Sequence, residues 1–273
     1  MQAASRESYK VAAEGLDAYA RGAEPSAVAT TADDILSVAA LLRREPRLRR
    51  ALSDPARSGS DRAGLLSEML RGKIGADALD LLVSLVSGRW SAPSELLDGT
   101  ERLGVEALLA SADKAGELGE VEDELFRFGQ VVAGSPELSN VLSDQMAPVA
   151  QRATLADQLL ADKARPITGY LVGVALAGFG GRSFTGALTR LVELAAERRD
   201  RRVAYVTVAA PLDDAEERRL GARLSEMYGR EVSVKQTVNP DVLGGVSVRV
   251  GSDLYDGTVL RRLNETRNAL AKR

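Results

Sequence analysis

Large apolar residues recur through 116–136 at Leu118, Val121, Leu125, Phe128 and Val132, in steps of 3, 4, 3 and 4. That spacing draws one narrow stripe down a helix. Ninety residues earlier, Val28, Thr31, Ile35, Val38 and Leu42 stand at the same spacing. The same offset pairs Pro46 with Pro136, Leu48 with Leu138, Leu52-Ser53-Asp54 with Leu142-Ser143-Asp144, and Arg62-Ala63 with Arg152-Ala153. It also pairs Leu65, Leu70, Lys73 and Leu81 with Leu155, Leu160, Lys163 and Leu171. The register then slips by three, and Gly88-Arg89 matches Gly181-Arg182. Helical periodicity does not fix the positions of Pro or of Ser-Asp. The pattern therefore predicts a tandem duplication of a helical unit.

In the first copy, Ser5 is expected to open a helix with Tyr9, Ala12, Leu16 and Tyr19 on one side. Pro25-Ser26 opens the next, and Pro46 and Pro55 punctuate the connections. The run 78–86 is apolar nearly all round and belongs in the middle of its bundle. From Pro93 a helical pattern continues past Gly99 and Gly104 to Ala112, predicting one helix or two abutting ones that join the bundles.

The pattern changes after residue 202. Residues 203–208 alternate and are β-branched, which predicts a strand. Asp213 or Asp214 caps a helix, with Glu216 or Glu217 at capping-box distance. Leu220, Leu224, Met227 and Tyr228 form its apolar face, and Gly229 closes it. Val232, Val234 and Val238 make a second strand, Asn239-Pro240-Asp241 a turn, and Val246, Val248 and Val250 a third strand. Gly251-Ser252-Asp253 turns again. Asp256-Gly257-Thr258 opens a last helix with Val259, Leu260, Leu263 and Leu270 apolar. The expected class is mainly α: two tandem helical bundles, 1–101 and 102–202, followed by a small α/β C-terminal module, 203–273.

Composition narrows the chemistry. The chain has 273 residues, of which 41 are Ala and 38 Leu, with no Cys and no His. Ala and Leu favour helices. Thiol nucleophiles, disulfides, Cys/His zinc sites and His-based triads are excluded. Charge is nearly balanced, 36 Lys+Arg against 39 Asp+Glu, and evenly spread, so no nucleic-acid partner is expected. The segment 1–10 is polar, unlike a signal peptide. The longest uncharged stretch, 166–181, is short for a membrane span and reads as a buried core helix ending in a Gly-rich loop. The basic run at Arg43, Arg44, Arg47, Arg49 and Arg50 reads as a solvated helix end, and Trp90 as packed within the first bundle.

Glycine clusters do not make nucleotide sites here. Gly244 to Gly251 lacks a Gly-Lys-Ser/Thr ending and leads into a strand, whereas a phosphate cradle leads into a helix. Gly178-Phe179-Gly180-Gly181 lacks the dinucleotide spacing. The acidic pairs Asp33-Asp34, Asp213-Asp214 and Glu216-Glu217 suit helix starts or solvated faces. No catalytic residue, metal site or cofactor is expected.

The end of the chain resembles a known family. A strand ends in Ala209-Ala210-Pro211-Leu212, and a Val-rich strand runs into Asn239-Pro240. Leu243-Gly244-Gly245-Val246-Ser247-Val248 follows, then Gly251 and Asp256-Gly257 before a Leu-spaced helix. This succession resembles the F-type ATP synthase delta subunit, the oligomycin-sensitivity conferral protein family. Residues 102–202 are similar to that family's helical bundle, so the resemblance covers about 102–273. Thr258 stands where the family often has Ser. The extra copy at 1–101 resembles the long actinobacterial form.

The resemblance implies a non-catalytic stator subunit. Its helical bundle would bind the N-terminal segments of the alpha subunit, and its C-terminal module the b-type peripheral stalk subunits. Together they would resist rotor torque, on the cytoplasmic side of the cell membrane and attached to it only through the complex. Leu108, Leu109, Ala112, Leu188, Leu191 and Val192 are the expected alpha-binding residues. Gly244, Gly245, Gly251, Asp256 and Gly257 are the structural motif. The extra unit is expected to add contact with the stalk. The rival reading is a free helical scaffold or adaptor, which has no need of the glycine-marked C-terminal module.

Overall fold

The computed structural model describes residues 1–240, 242, 244–251 and 253–259. The first copy contributes α1 (Ala3–Gly22), α2 (Pro25–Arg44), α3 (Pro46–Leu52), α4 (Gly59–Leu70) and α5 (Ala76–Ser87). Proline opens α2 and α3, where its fixed φ suits the first turn and its missing N–H removes no intrahelical bond. Ser58 and Asp61 form a capping box on α4. Ser5 lies inside α1 rather than at its start. It is buried, and its hydroxyl donates to Glu95 at 2.5 Å. By length and composition α2 is also apolar enough to cross a membrane, yet it buries seven side chains and packs on α5 and α6 as a core helix.

One uninterrupted helix, α6 (Pro93–Lys114), joins the copies. Glycine disfavours a helix interior by about 1 kcal/mol, and two glycines here admit close neighbours. A Cβ on Gly99 would lie 2.4 Å from the Trp90 ring, and one on Gly104 2.7 Å from the Leu36 side chain. Trp90 is accordingly buried in the first bundle and donates its indole N–H to the Leu85 carbonyl at 2.9 Å.

The second copy follows with α7 (Leu118–Ala133), α8 (Pro136–Ser143), α9 (Val149–Leu160), α10 (Pro166–Leu176), a short 3-10 turn at Phe179–Gly181 and α11 (Phe184–Arg198). Both predicted stripes are buried, on α2 and α7 alike. The starts of α3, α4 and α5 recur ninety residues later as α8, α9 and α10. The start of α1 recurs as α6, and the start of α6 recurs ninety-one residues on as α11. Each copy is thus a six-helix unit, and α6 is the last helix of one and the first of the other. The boundary expected at 101/102 falls in the middle of it. Apolar side chains of both units form one continuous core from Tyr9 to Val203. The repeat extends to a buried arginine. Arg62 donates to the carbonyls of Asp54, Arg57, Val86, Ser87 and Gly88, and its counterpart Arg152 donates to that of Leu142.

The C-terminal module comprises β1 (Arg201–Val208), α12 (Asp214–Tyr228), β2 (Glu231–Val238), β3 (Val246–Val250) and β4 (Asp253–Asp256). Strand order is β2-β1-β3-β4, with β1 parallel to β2 across the α12 crossover and β3 antiparallel to β1 and β4. Asp213 is the cap of α12, and Glu216 completes its capping box. Ala204, Val206, Val208, Leu224, Val232, Val248 and Val250 form the core. Met227 and Val238, expected on apolar faces, are exposed. The sequence does not predict strand β4, which begins at Asp253, assigned to a turn, and ends at Asp256, assigned to the start of the last helix, because Asp residues at both ends are poor strand formers. Leu260, Leu263 and Leu270 of the expected final helix lie outside the described residues, as do Asp241, Leu243 and Ser252 of the expected turns and motif.

Polar contacts seat this module on α7. Glu122 is fully buried and accepts from Arg199, just after α11, at 3.0 Å, Ser233 of β2 at 2.8 Å and Lys235 of β2 at 2.9 Å. Lys235 also pairs with Asp123. Arg249 lies over the Tyr205 ring, 4.6 Å from its centroid.

Candidate partner-binding groove

Leu108, Leu109 and Ala112 lie on α6, and Leu188, Leu191 and Val192 on α11. The structure brings all six together, but inside the main core, each with at most 2% of its surface exposed. They form packed interior rather than the open groove expected of them. The reason is the double role of α6, which has neighbours from both units and buries thirteen of its residues. Leu188 and Val192 also line a recess of about 370 Å³ between α7, α11 and the C-terminal sheet, together with Phe126, Tyr205 and Arg249.

A larger groove, of about 780 Å³, opens elsewhere. One wall is α9 and α10, with Val149, Ala153, Leu160, Tyr170 and Val174. The other is α2, with Leu36, Ala40, Arg43 and Arg44, and Glu101 of α6 lies between them. Half of α10 does what the sequence suggests, since Thr168, Leu171, Val172, Ala175 and Leu176 are buried. Its other face presents Gly169, Tyr170, Gly173 and Val174 to the groove, followed by Ala177 just past its end. Tyr170 is 51% exposed and Val149 43%. Contiguous exposed apolar surface of this kind marks interaction sites.

Buried carboxylates hold both walls. Glu124 accepts from the Arg165 backbone N–H at 2.9 Å, the Thr168 hydroxyl at 2.5 Å and the Arg165 guanidinium at 3.1 Å. It thereby fixes the start of α10, where Pro166 takes the first helical position. Arg165 also pairs with Glu117 and Glu120. On the other wall, Arg43 donates to Glu101 at 2.5 Å, while the second oxygen of Glu101 accepts from the Gly180 N–H at 2.9 Å. Glu101 thus ties α2 to the turn after α10. Arg43 therefore serves as more than a solvated helix end. The sequence signal for the groove is the apolar character of α10 on both faces, more than a single core contact requires.

The glycine-marked motif is a backbone contact. Gly244 and Gly245 have φ of +80° and +82°. A Cβ on Gly245 would lie 2.5 Å from the Gly257 carbonyl oxygen. The Gly257 N–H donates to the Val246 carbonyl at 2.9 Å, and the Val259 N–H to that of Gly244 at 3.1 Å. Asp256 accepts from the Thr258 N–H at 3.0 Å. Gly251, with φ of +58°, turns the chain between β3 and β4. Gly244-Gly245 and Asp256-Gly257 are thus two sides of one seam.

The family model described as ATP synthase delta (OSCP) subunit matches residues 105–270. The chain belongs to the ATP synthase delta (OSCP) subunit family. The match starts within α6 and takes in the second helical unit and the C-terminal module. The relatives include the first unit as well. The ATP synthase subunit delta of Salinispora arenicola is 80% identical, with 100% of each chain covered, and that of Salinispora tropica is equally similar. The ATP synthase subunit delta of Streptomyces griseus is 44% identical over 99% of this chain and 100% of its own. The duplicated organisation is therefore common to long family members in these actinobacteria.

Proposed function

We propose that the chain is a non-catalytic stator subunit of a proton-translocating F-type ATP synthase. It links the N-terminal segments of the alpha subunit to the b-type peripheral stalk subunits and resists the torque of the rotor. The observation that carries this reading is the apolar groove beside α10, open to solvent on a member of an ATP synthase subunit family. A groove of this kind accepts the apolar face of an amphipathic helix. We assign the alpha segment to it, in place of the six core residues that the sequence suggests. The C-terminal module is the proposed contact for the stalk.

Load transfer suits the architecture. A stator part must hold its two attachment points at a fixed separation. The shared helix α6 spans about 33 Å at 1.5 Å per residue, and the core is continuous on both sides of it. A rigid helical connection transmits force that a flexible linker would absorb. The chain would sit on the cytoplasmic face of the cell membrane as a peripheral part of the complex. The free-scaffold reading is not favoured, since it leaves the family match over 105–270 without a purpose.

Affinity purification of the tagged chain from gently solubilised native membranes tests this. Recovery of alpha, beta and b-type subunits is the expected result. An accessible tag that recovers none of them from intact assemblies contradicts it.

A further inference from the structure

Resting on the groove reading above, we infer that the first unit supplies one wall of the segment-binding groove while its own equivalent face is polar, so that each chain takes one helical segment at a site neither unit builds alone.

The duplication allows the two units to be compared position by position. On α10 and just past its end the groove face is Gly169, Tyr170, Gly173, Val174 and Ala177. Ninety residues earlier the same positions on α5 are Leu79, Asp80, Val83, Ser84 and Ser87. Leu79 and Val83 pack against the main core, and Asp80 and Ser87 are exposed. The two faces are equally exposed, but Asp80, Ser84 and Ser87 make this one polar where the α10 face carries Tyr170, Val174 and Ala177. The first helix of that unit also closes on α5. Leu81 lies 3.5 Å from where a Cβ of Gly15 would stand, and the Ser8 hydroxyl donates to the Arg89 carbonyl at 2.8 Å.

The α2 wall has a matching explanation. Leu36 and Ala40 correspond to Phe126 and Gln130 of α7. In α7 that face borders the recess beneath the C-terminal sheet, with Tyr205 and Arg249 opposite. The first unit has no module of its own, so the same face of α2 is open at Ala40, while Leu36 rests partly on α6. It stands across the groove from α10, held by the Arg43–Glu101 pair. This gives the first unit a part in segment binding, where the sequence suggests a stalk contact.

The rim selects the occupant. Arg44 on the α2 side, and Asp157 and Asp162 on the α9 side, line the groove and carry no ion pair among the described residues. Arg43 is already neutralised by Glu101. The complementary partner is an amphipathic helix with an acidic flank toward α2 and a basic flank toward α9.

The test uses the full chain and a fluorescent synthetic peptide covering the first ~20 residues of the alpha subunit from the same organism, a length of about 30 Å as helix. Ala40→Trp fills the groove from the α2 wall, and Gly173→Trp fills it from α10. Ala40 is exposed, and a Cβ on Gly173 meets nothing within 4 Å. Circular dichroism and thermal melting verify that both variants fold. The inference predicts one peptide per chain and a Kd raised about tenfold or more, roughly 1.4 kcal/mol, by either substitution. Weakening by Gly173→Trp alone would leave the groove reading intact and overturn the part given to the first unit. Two peptides per chain would overturn the exclusion of a segment from the first unit's own polar face. No binding by the wild type, or binding unaffected by both variants, would overturn the groove reading and the inference with it.

Discussion

Arg43 of α2 and Glu101 of α6 meet at 2.5 Å, joining the second helix of the first unit to the helix that both units share. Glu101 is almost wholly buried, and its other oxygen holds the Gly180 N–H. Glu101→Ala leaves the Gly180 N–H without its acceptor and Arg43 with only the Gly178 carbonyl at 3.4 Å, and hydrogen bonds to charged groups contribute about 2 kcal/mol. The expected outcome is a loss of stability of that order in urea unfolding, with weaker binding of the alpha-segment peptide. Unchanged stability would mean that solvent replaces Glu101 fully.

A second buried carboxylate governs the C-terminal module. Glu122→Ala leaves Lys235, only 6% exposed, with Asp123 alone. Breaking one side of a buried pair costs about 3 kcal/mol. Faster trypsin cleavage within 198–202 is expected, as β2 loosens from α7. The double variant Glu122→Met with Lys235→Met should recover most of the stability, because the buried Lys235 charge goes with that of Glu122, and the two charges left behind, Arg199 and Asp123, both reach water.

The glycine seam allows a graded test. Gly245→Ala meets both a positive φ and a carbonyl oxygen at 2.5 Å, so a loss of about 2 kcal/mol is expected. Gly251→Ala has the φ but open space around its Cβ, and about 1 kcal/mol is expected. Urea midpoints rank the two, and equal effects would show that the close approach at Gly245 contributes nothing.

Acid sensitivity is expected at the junction of α1 and α6. The Ser5 hydroxyl, and then the Gln2 N–H, hold the Glu95 carboxyl below the usual carboxylate range. A lowered folded pKa means that ionised Glu95 contributes stability above the unfolded value. That contribution is lost as pH falls through the ordinary range to the lowered pKa. Glu95→Gln should therefore lower the urea midpoint at neutral pH and converge with the wild type once the pH has fallen below the lowered pKa. A constant gap across that range would contradict the assignment.

Much of this was legible in sequence where the signal is local. The stripes on α2 and α7, the cap at Asp213 and the glycine at the end of α12 depend on neighbours within a few residues. The shared role of α6 was not, because a comparison at one offset pairs segments and does not reveal a helix that matches in both directions. The groove is hidden from the sequence for a related reason. Whether the second face of α10 is covered depends on α2, far away in the chain, and apolar character alone does not separate a core face from a binding face. The sequence therefore places Leu108 and Leu191 at a surface that tertiary packing closes.

Reconstitution tests the stator reading most directly. Membranes carrying the ATP synthase but depleted of this chain are assayed for ATP hydrolysis and ATP-driven proton pumping, before and after adding back the purified protein. A stator subunit predicts that hydrolysis persists without the chain while pumping is lost, and that pumping returns on addition. Pumping that is undiminished in fully depleted membranes, or hydrolysis by an intact head that itself requires the chain, would contradict it.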